Sequence, residues 1–328
     1  MSDWTKGEIE VVTAAVRAAP SVHNTQPWVL EFHDDGAHGV SLYQRLDRAL
    51  ERHDPLGRDL LISCGAALEN LLLAIRVLGW VPALALVPGD RPDLVGRARV
   101  TGRREPSDVE LRRYAAVSRR RSYRQPFTSA PIEQSTRDAL VAASDTGGVE
   151  VRAVRGDGDI DVIARVFDHA ALVLKADRAY QRELSAWTTT SADPRPGEGV
   201  ASVPRHLDTL PWAGLVRRLT AVPDPVVFAD RLRRECLLVV LTPDDGPLDH
   251  VRAGMAVQAT WLDATGRGLV GSILTQPLQL RGVRAGLIEG MELAGFPQAL
   301  MRFGHPAEPH HPKTEFAALR DGAKEDPS

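Results

Sequence analysis

The stretch GAALENLLLAIRVLGWV, residues 65–81, is echoed later in the chain by GMAVQATWLDATGRGLV, residues 254–270. At an offset of 189 residues (254 minus 65), Gly65, Ala67, Glu69, Leu73, Gly79 and Val81 fall on Gly254, Ala256, Gln258, Leu262, Gly268 and Val270. Both stretches follow GxAxxxxxLxxxxxG. Self-similarity at a fixed spacing is the mark of internal repetition, so two halves are expected to carry the same central helix.

Working outward, Ile9, Val12, Val16 and Ala19 recur at helical spacing over Thr5 to Ala19, and Pro20 ends that stripe. The runs WVLEF and GVSLY then alternate on either side of Asp34, Asp35 and Gly36, which predicts a hairpin. Gly57 to Leu78 reads as a long, almost wholly apolar helix, and VPALALV and GRARVTG as returning strands. From about Pro106 a second half follows. Its helices are expected over Asp108 to Val117, Ile132 to Ala143, Ile160 to Thr190 and His250 to Arg267, and its strands at VEVRAV, Cys236 to Leu241, SILT and LMRFG. The expected division is 1–105 and 106–328, with a proline-rich, lid-like insertion at about 191–225 that breaks every periodicity.

Length and composition agree with a folded protein of about two domains: 328 residues, 43% hydrophobic and 25% charged. The most apolar run, Leu71 to Val87, is cut by Arg76, Gly79 and Pro82, so no membrane span is expected. A net charge of −3 argues against nucleic acid or an anionic membrane as partner. Cys64 and Cys236 lie far apart, and MSDWTKGEIE lacks the basic and apolar regions of a secretory signal; together they point to the cytoplasm. Only four of the 40 basic residues are lysines, so a single arginine says little by itself.

Several chemistries are absent. The chain has no GxxxxGK[ST], no complete dinucleotide fingerprint, no GxSxG and no HExxH. His305, His310 and His311 sit in a Pro-rich tail with no thiolate nearby, which does not favour a metal site. What remains is PSVHNTQPW, residues 20–28, and RRRSYR, residues 119–124. The first is an amide-rich turn behind a helix-ending proline, able to meet the donor and acceptor edge of a planar heterocycle. The second offers guanidinium forks and a hydroxyl, the chemistry a phosphate monoester needs.

Together these motifs resemble the nitroreductase superfamily of FMN-dependent oxidoreductases, and within it the Acg-like subfamily of actinobacteria. The resemblance implies an α+β, nitroreductase-like fold, a mixed sheet wrapped by helices, as a fused internal pseudo-dimer. It places Arg120, Ser122 and Arg124 on the FMN phosphate and Pro20, Ser21, Val22, His23, Asn24 and Gln26 beside the ring. Thr275 and Gln276 stand where many members have ring-contacting glycines. His310 and His311 stand where the family has an Arg-Arg-Pro sequence reaching the phosphate. The loop precedes the basic segment by about a hundred residues, the reverse of the usual order. One half therefore supplies what a partner subunit would, leaving one complete site in a monomer. The implied function is an NAD(P)H oxidoreductase acting through FMN on a nitroaromatic or quinone, a small-molecule substrate; the alternative is a protein that stores FMN.

Overall fold

A computed structural model describes residues 4–33, 38–86, 91–189, 200–201, 216–218 and 220–307. The first half runs α1 (Lys6–Arg17), β1 (Trp28–His33), β2 (Gly39–Gln44), α2 (Arg58–Val77), β3 (Trp80–Leu86) and β4 (Leu94–Arg103). The second continues with α3 (Asp108–Val117), α4 (Gln134–Val141), β5 (Glu150–Ala153), α5 (Asp157–Ala176) and α6 (Arg178–Ala186). Then come two-residue strands β6 (Thr188–Thr189) and β7 (Val200–Ala201), α7 (Pro225–Leu232), β8 (Cys236–Thr242), α8 (Pro247–Gly266), β9 (Val270–Leu274), α9 (Arg281–Gly290) and β10 (Phe296–Gly304).

The repeat seen in the sequence is a repeat in space. The first sheet has the order β1-β2-β4-β3 and the second β5-β8-β10-β9, so each runs first, second, fourth, third, with every pairing antiparallel. Among the described residues, parallel pairing appears only where Ser122 bridges to Gly271, adding an edge to the second sheet, and between β6 and β7. Gly79 and Gly268, the matched glycines after α2 and α8, have φ of 81° and 80°. Each leaves its helix through the left-handed region that a side chain disfavours.

Helix α2 is as long and apolar as a membrane span, but most of it is buried within the protein, as befits a core helix. It packs along α8, and Val251 and Met255 of α8 join the apolar core of the first half. In the second half α8 covers one face of the sheet, while α5, α7 and α9 cover the other. Strand β8 is consequently buried at all seven positions, which its unbroken run CLLVVLT requires.

One sequence expectation needs adjustment. The helix expected over Ile160 to Thr190 is two helices, because the Asp177 carboxylate accepts the Ala179 and Tyr180 N–H groups and caps a new start. Arg119 still belongs to the turn that ends α3, and the chain then runs extended, with Ser122 and Tyr123 lying on β9. Most of the expected lid, 191–225, lies outside the described residues.

Candidate cofactor site

Loop 20–28 is strained. His23, Asn24 and Gln26 have φ of 50°, 54° and 48°, three non-glycine residues in the left-handed region within four positions. Each costs on the order of 1 kcal/mol or more, and such strain collects at binding sites. The loop holds it through specific bonds. Gln26 N–H donates to Ser21 Oγ (3.0 Å), and Val22 N–H to Ser63 Oγ of α2 (3.3 Å). Arg45 N–H donates to Pro27 O (3.0 Å). His23 is buried, and its Nε2 has no partner among the described residues.

The basic segment approaches this loop from the other half. Tyr123 N–H donates to Gly271 O (2.8 Å), which fixes the segment on β9. Arg302, in a buried bidentate pair with Glu235 (2.6 and 2.7 Å), turns its remaining Nη1 toward Tyr123 O and Ser272 Oγ. Arg120 reaches inward: Nη2 donates to Ala18 O at the end of α1 (3.2 Å), and the guanidinium lies 4.5 Å over the Trp261 ring. Its Nε has no partner, and no carboxylate pairs with Arg120 or Arg124 among the described residues. Burial, with the charge of neighbouring Arg121, brings the Arg120 pKa down to about 9; burial lowers that of Arg124 as well. A buried cation without a counter-ion is costly, and an anion bound here would relieve it. Ser122 and Arg121 are exposed beside them.

Two motifs about a hundred residues apart in sequence thus meet. Arg120 bonds to Ala18, two residues before Pro20, and the charge of Arg124 acts on His23. The imidazole of His23 is held well below its usual pKa by burial first, then by His53 and Arg124. The 275–276 turn joins from a third direction. Thr275 hydrogen-bonds through its side chain to Asp59, and Gln276 is buried with its Nε2 unpartnered. His310 and His311 lie outside the described residues.

Sequence reasoning missed the segment that binds these pieces, ERHDPLGRD at 51–59. His53 Nε2 lies 3.2 Å from Asp59 Oδ2, and Arg58 Nη2 3.0 Å from Asp59 Oδ1. Asp54 caps α2 by accepting Leu60 N–H (2.8 Å) and takes a hydrogen bond from Gln279 (3.2 Å). The His53 ring meets His23 edge-on with centroids 4.8 Å apart and stacks near Tyr180 at 5.9 Å. The Glu183 carboxylate of α6 accepts the N–H groups of Arg52 (3.0 Å) and His53 (2.7 Å), closing α6 over the cluster. The available signal was four consecutive charged or imidazole side chains, Glu51 to Asp54, ahead of a helix that buries nearly everything.

No family model matches the chain. A relative from Mycobacterium tuberculosis H37Rv named "Putative NAD(P)H nitroreductase Rv3131" is 32% identical over 301 residues, 90% of this chain and 83% of the relative. This chain belongs to the Acg-like nitroreductase family. The Acg protein of the same organism is 28% identical over 95% of this chain and 96% of its own length. Among solved structures, an FMN-bound nitroreductase from Bacteroides fragilis is 14% identical, with a TM-score of 0.39 over 68% of this chain and all of that one. NfnB from Mycobacterium smegmatis, in complex with NADPH, is 15% identical with a TM-score of 0.33 over 61% of this chain and 90% of that one.

Proposed function

We propose that this Acg-like chain is a monomeric FMN-dependent oxidoreductase, reduced by NAD(P)H and oxidised by a nitroaromatic or quinone. The observation that carries the reading is the meeting of two guanidinium groups, buried Arg120 and half-buried Arg124, neither paired with a carboxylate among the described residues, with a strained loop whose buried His23 Nε2 is unpartnered among them. The first suits a phosphate and the second the polar edge of a heterocycle. Arg120, Ser122 and Arg124 would hold the phosphate; Pro20 to Gln26, Thr275 and Gln276 would line the ring. FMN supplies the two-electron redox chemistry when bound, and the chain binds, orients and shields it. No acid–base pair of the protein's own is needed.

Quantifying released flavin against protein tests the reading. One FMN per chain, reduced anaerobically on adding NADPH, is the expected result; no flavin after reconstitution overturns it. A second reading, storage of FMN, is favoured by one feature: Glu183 and Tyr180 cover the cluster from α6. Stopped-flow mixing with NADPH separates the two, since a stored flavin stays oxidised.

A further inference from the structure

Asp59 is fully buried, yet ionised. Burial alone would raise its pKa, but Arg58 and the hydrogen bonds from His53 and Thr275 outweigh it and hold the group well below the usual carboxylate range. An ionised carboxylate only accepts, so the hydrogen at 3.2 Å belongs to His53 Nε2, while His53 Nδ1 has no hydrogen-bond partner among the described residues. His53 is restrained from every side. Asp59 holds one ring nitrogen, Glu183 the backbone N–H, and Tyr180 lies against a ring face.

His23 is the opposite case. Its φ of 50° and ψ of 22° lie in the left-handed region, uncommon for any residue with a side chain, and no hydrogen bond restrains its Nε2 among the described residues. Its ring rests edge-on against His53, at an interplanar angle of 67°. The well-held ring therefore backs the strained one.

We propose that His53, fixed by Asp59, is a positioning residue that keeps His23 in its left-handed conformation with Nε2 available to the cofactor ring. This rests on the FMN reading above. His53 itself touches no cofactor; its effect passes through His23. Asp59 acts one step further back, by setting the tautomer and plane of His53.

A double-mutant cycle on the FMN-loaded protein tests it, with His23→Ala, His53→Ala and the pair. Fluorescence titration and midpoint potential are the readouts. Each single variant is expected to weaken FMN roughly tenfold and to shift the potential in the same direction, with the pair no weaker than His23→Ala alone. His53→Gln retains an N–H donor for Asp59; it should unfold like the parent yet bind FMN like His53→Ala. Additive losses, or His53→Gln binding and shifting as the parent does, overturn the proposal while leaving the cofactor reading intact. Nitrogen-15 spectra of labelled histidines provide a measurement that needs no flavin: the parent should show His53 with its proton on Nε2, and the Nδ1–H form overturns the proposal. A parent that binds no FMN overturns the cofactor reading, and this proposal with it.

Discussion

Gly65 and Gly254 lie backbone to backbone where α2 crosses α8. A Cβ on Gly65 would stand 2.0 Å from Val251 O and 3.0 Å from Gly254 Cα; a Cβ on Gly254 would stand 2.0 Å from Ile62 O and 3.0 Å from Gly65 Cα. The contact is symmetric, since Ile62 and Val251 are related by the same 189-residue offset as the two glycines. Both glycines are used for close approach rather than for backbone freedom.

Gly65→Ala and Gly254→Ala should therefore each destabilise the protein. A mid-helix alanine gains up to about 1 kcal/mol in propensity. Forcing two backbones apart costs more, typically about 1–3 kcal/mol for an overpacked core, and here the obstruction is carbonyl oxygen rather than a flexible side chain. Urea unfolding measures the difference. The double variant should lose less than the sum of the singles, because the helices separate only once. A midpoint equal to the parent's in either variant would show that the crossing can slide at no cost.

The basic segment makes a second prediction, about affinity. A charge-assisted hydrogen bond is worth about 1.5–3 kcal/mol, so Arg120→Ala and Arg124→Ala should each weaken FMN by roughly one to two orders of magnitude. Arg120→Ala should also cost stability, because the guanidinium bonds to Ala18 O at the end of α1. Arg121 is exposed and donates to Arg120 O, so Arg121→Ala should bind nearly as the parent does. Fluorescence titration of the three separates the roles; a larger loss for Arg121→Ala would shift the phosphate contacts by one residue.

How far the sequence could be read depended on the kind of signal each residue carries. The α2 and α8 helices and the hairpin of β1 and β2 were legible because apolar periodicity records which face is buried. The repeat was legible because two backbones in contact demand glycine at Gly65 and Gly254. The break at Asp177 was missed because its apolar stripe continues on both sides; only the carboxylate's bonds to Ala179 and Tyr180 end one helix and begin the next. The motifs at 20–26 and 120–124 stood out as a candidate site, since amides and guanidinium groups indicate the kind of ligand they suit. His53 and Asp59 were not. Their meaning lies in contacts with His23, Thr275 and Glu183, between 30 and 216 residues away along the chain, and no local pattern encodes such partners.

Acid stability provides a third prediction, at the join of the two halves. Glu110 accepts from Arg76 Nε (2.9 Å), Arg104 Nη2 (2.8 Å) and Ser107 N–H (2.7 Å), tying α3 to the end of α2. Burial alone would raise its pKa, but these bonds outweigh it and bring the value to about 2. The unfolded group titrates near 4.3, so its stabilisation is complete above that pH and is lost as pH falls toward 2. Allowing for partial exposure, Glu110→Gln should cost roughly 1–3 kcal/mol at pH 7. The gap between variant and parent in thermal unfolding should close between pH 4.5 and 2. A gap independent of pH would mean that the carboxylate's charge contributes nothing.

Access to the site forms the last prediction. The sequence pointed to 191–225 as a cover, edged by Trp187 and Trp212; within the described residues the cover is α6, ending just before that segment. Its hold on the first half is specific. Glu183 takes two backbone N–H groups that have no other acceptor among the described residues, and Tyr180 lies against His53. A bidentate carboxylate on backbone N–H groups is a strong attachment, but it joins one helix to one short segment, so losing it should free α6 without unfolding the sheets. Glu183→Ala is therefore expected to keep most of the parent's stability while FMN exchanges faster and NADPH reduces the bound flavin faster. Stopped-flow absorbance of parent and variant, both loaded with FMN, gives the comparison. Equal reduction rates, with flavin bound in both, would mean that α6 does not limit access and that reduction is governed by the nicotinamide's fit against the ring.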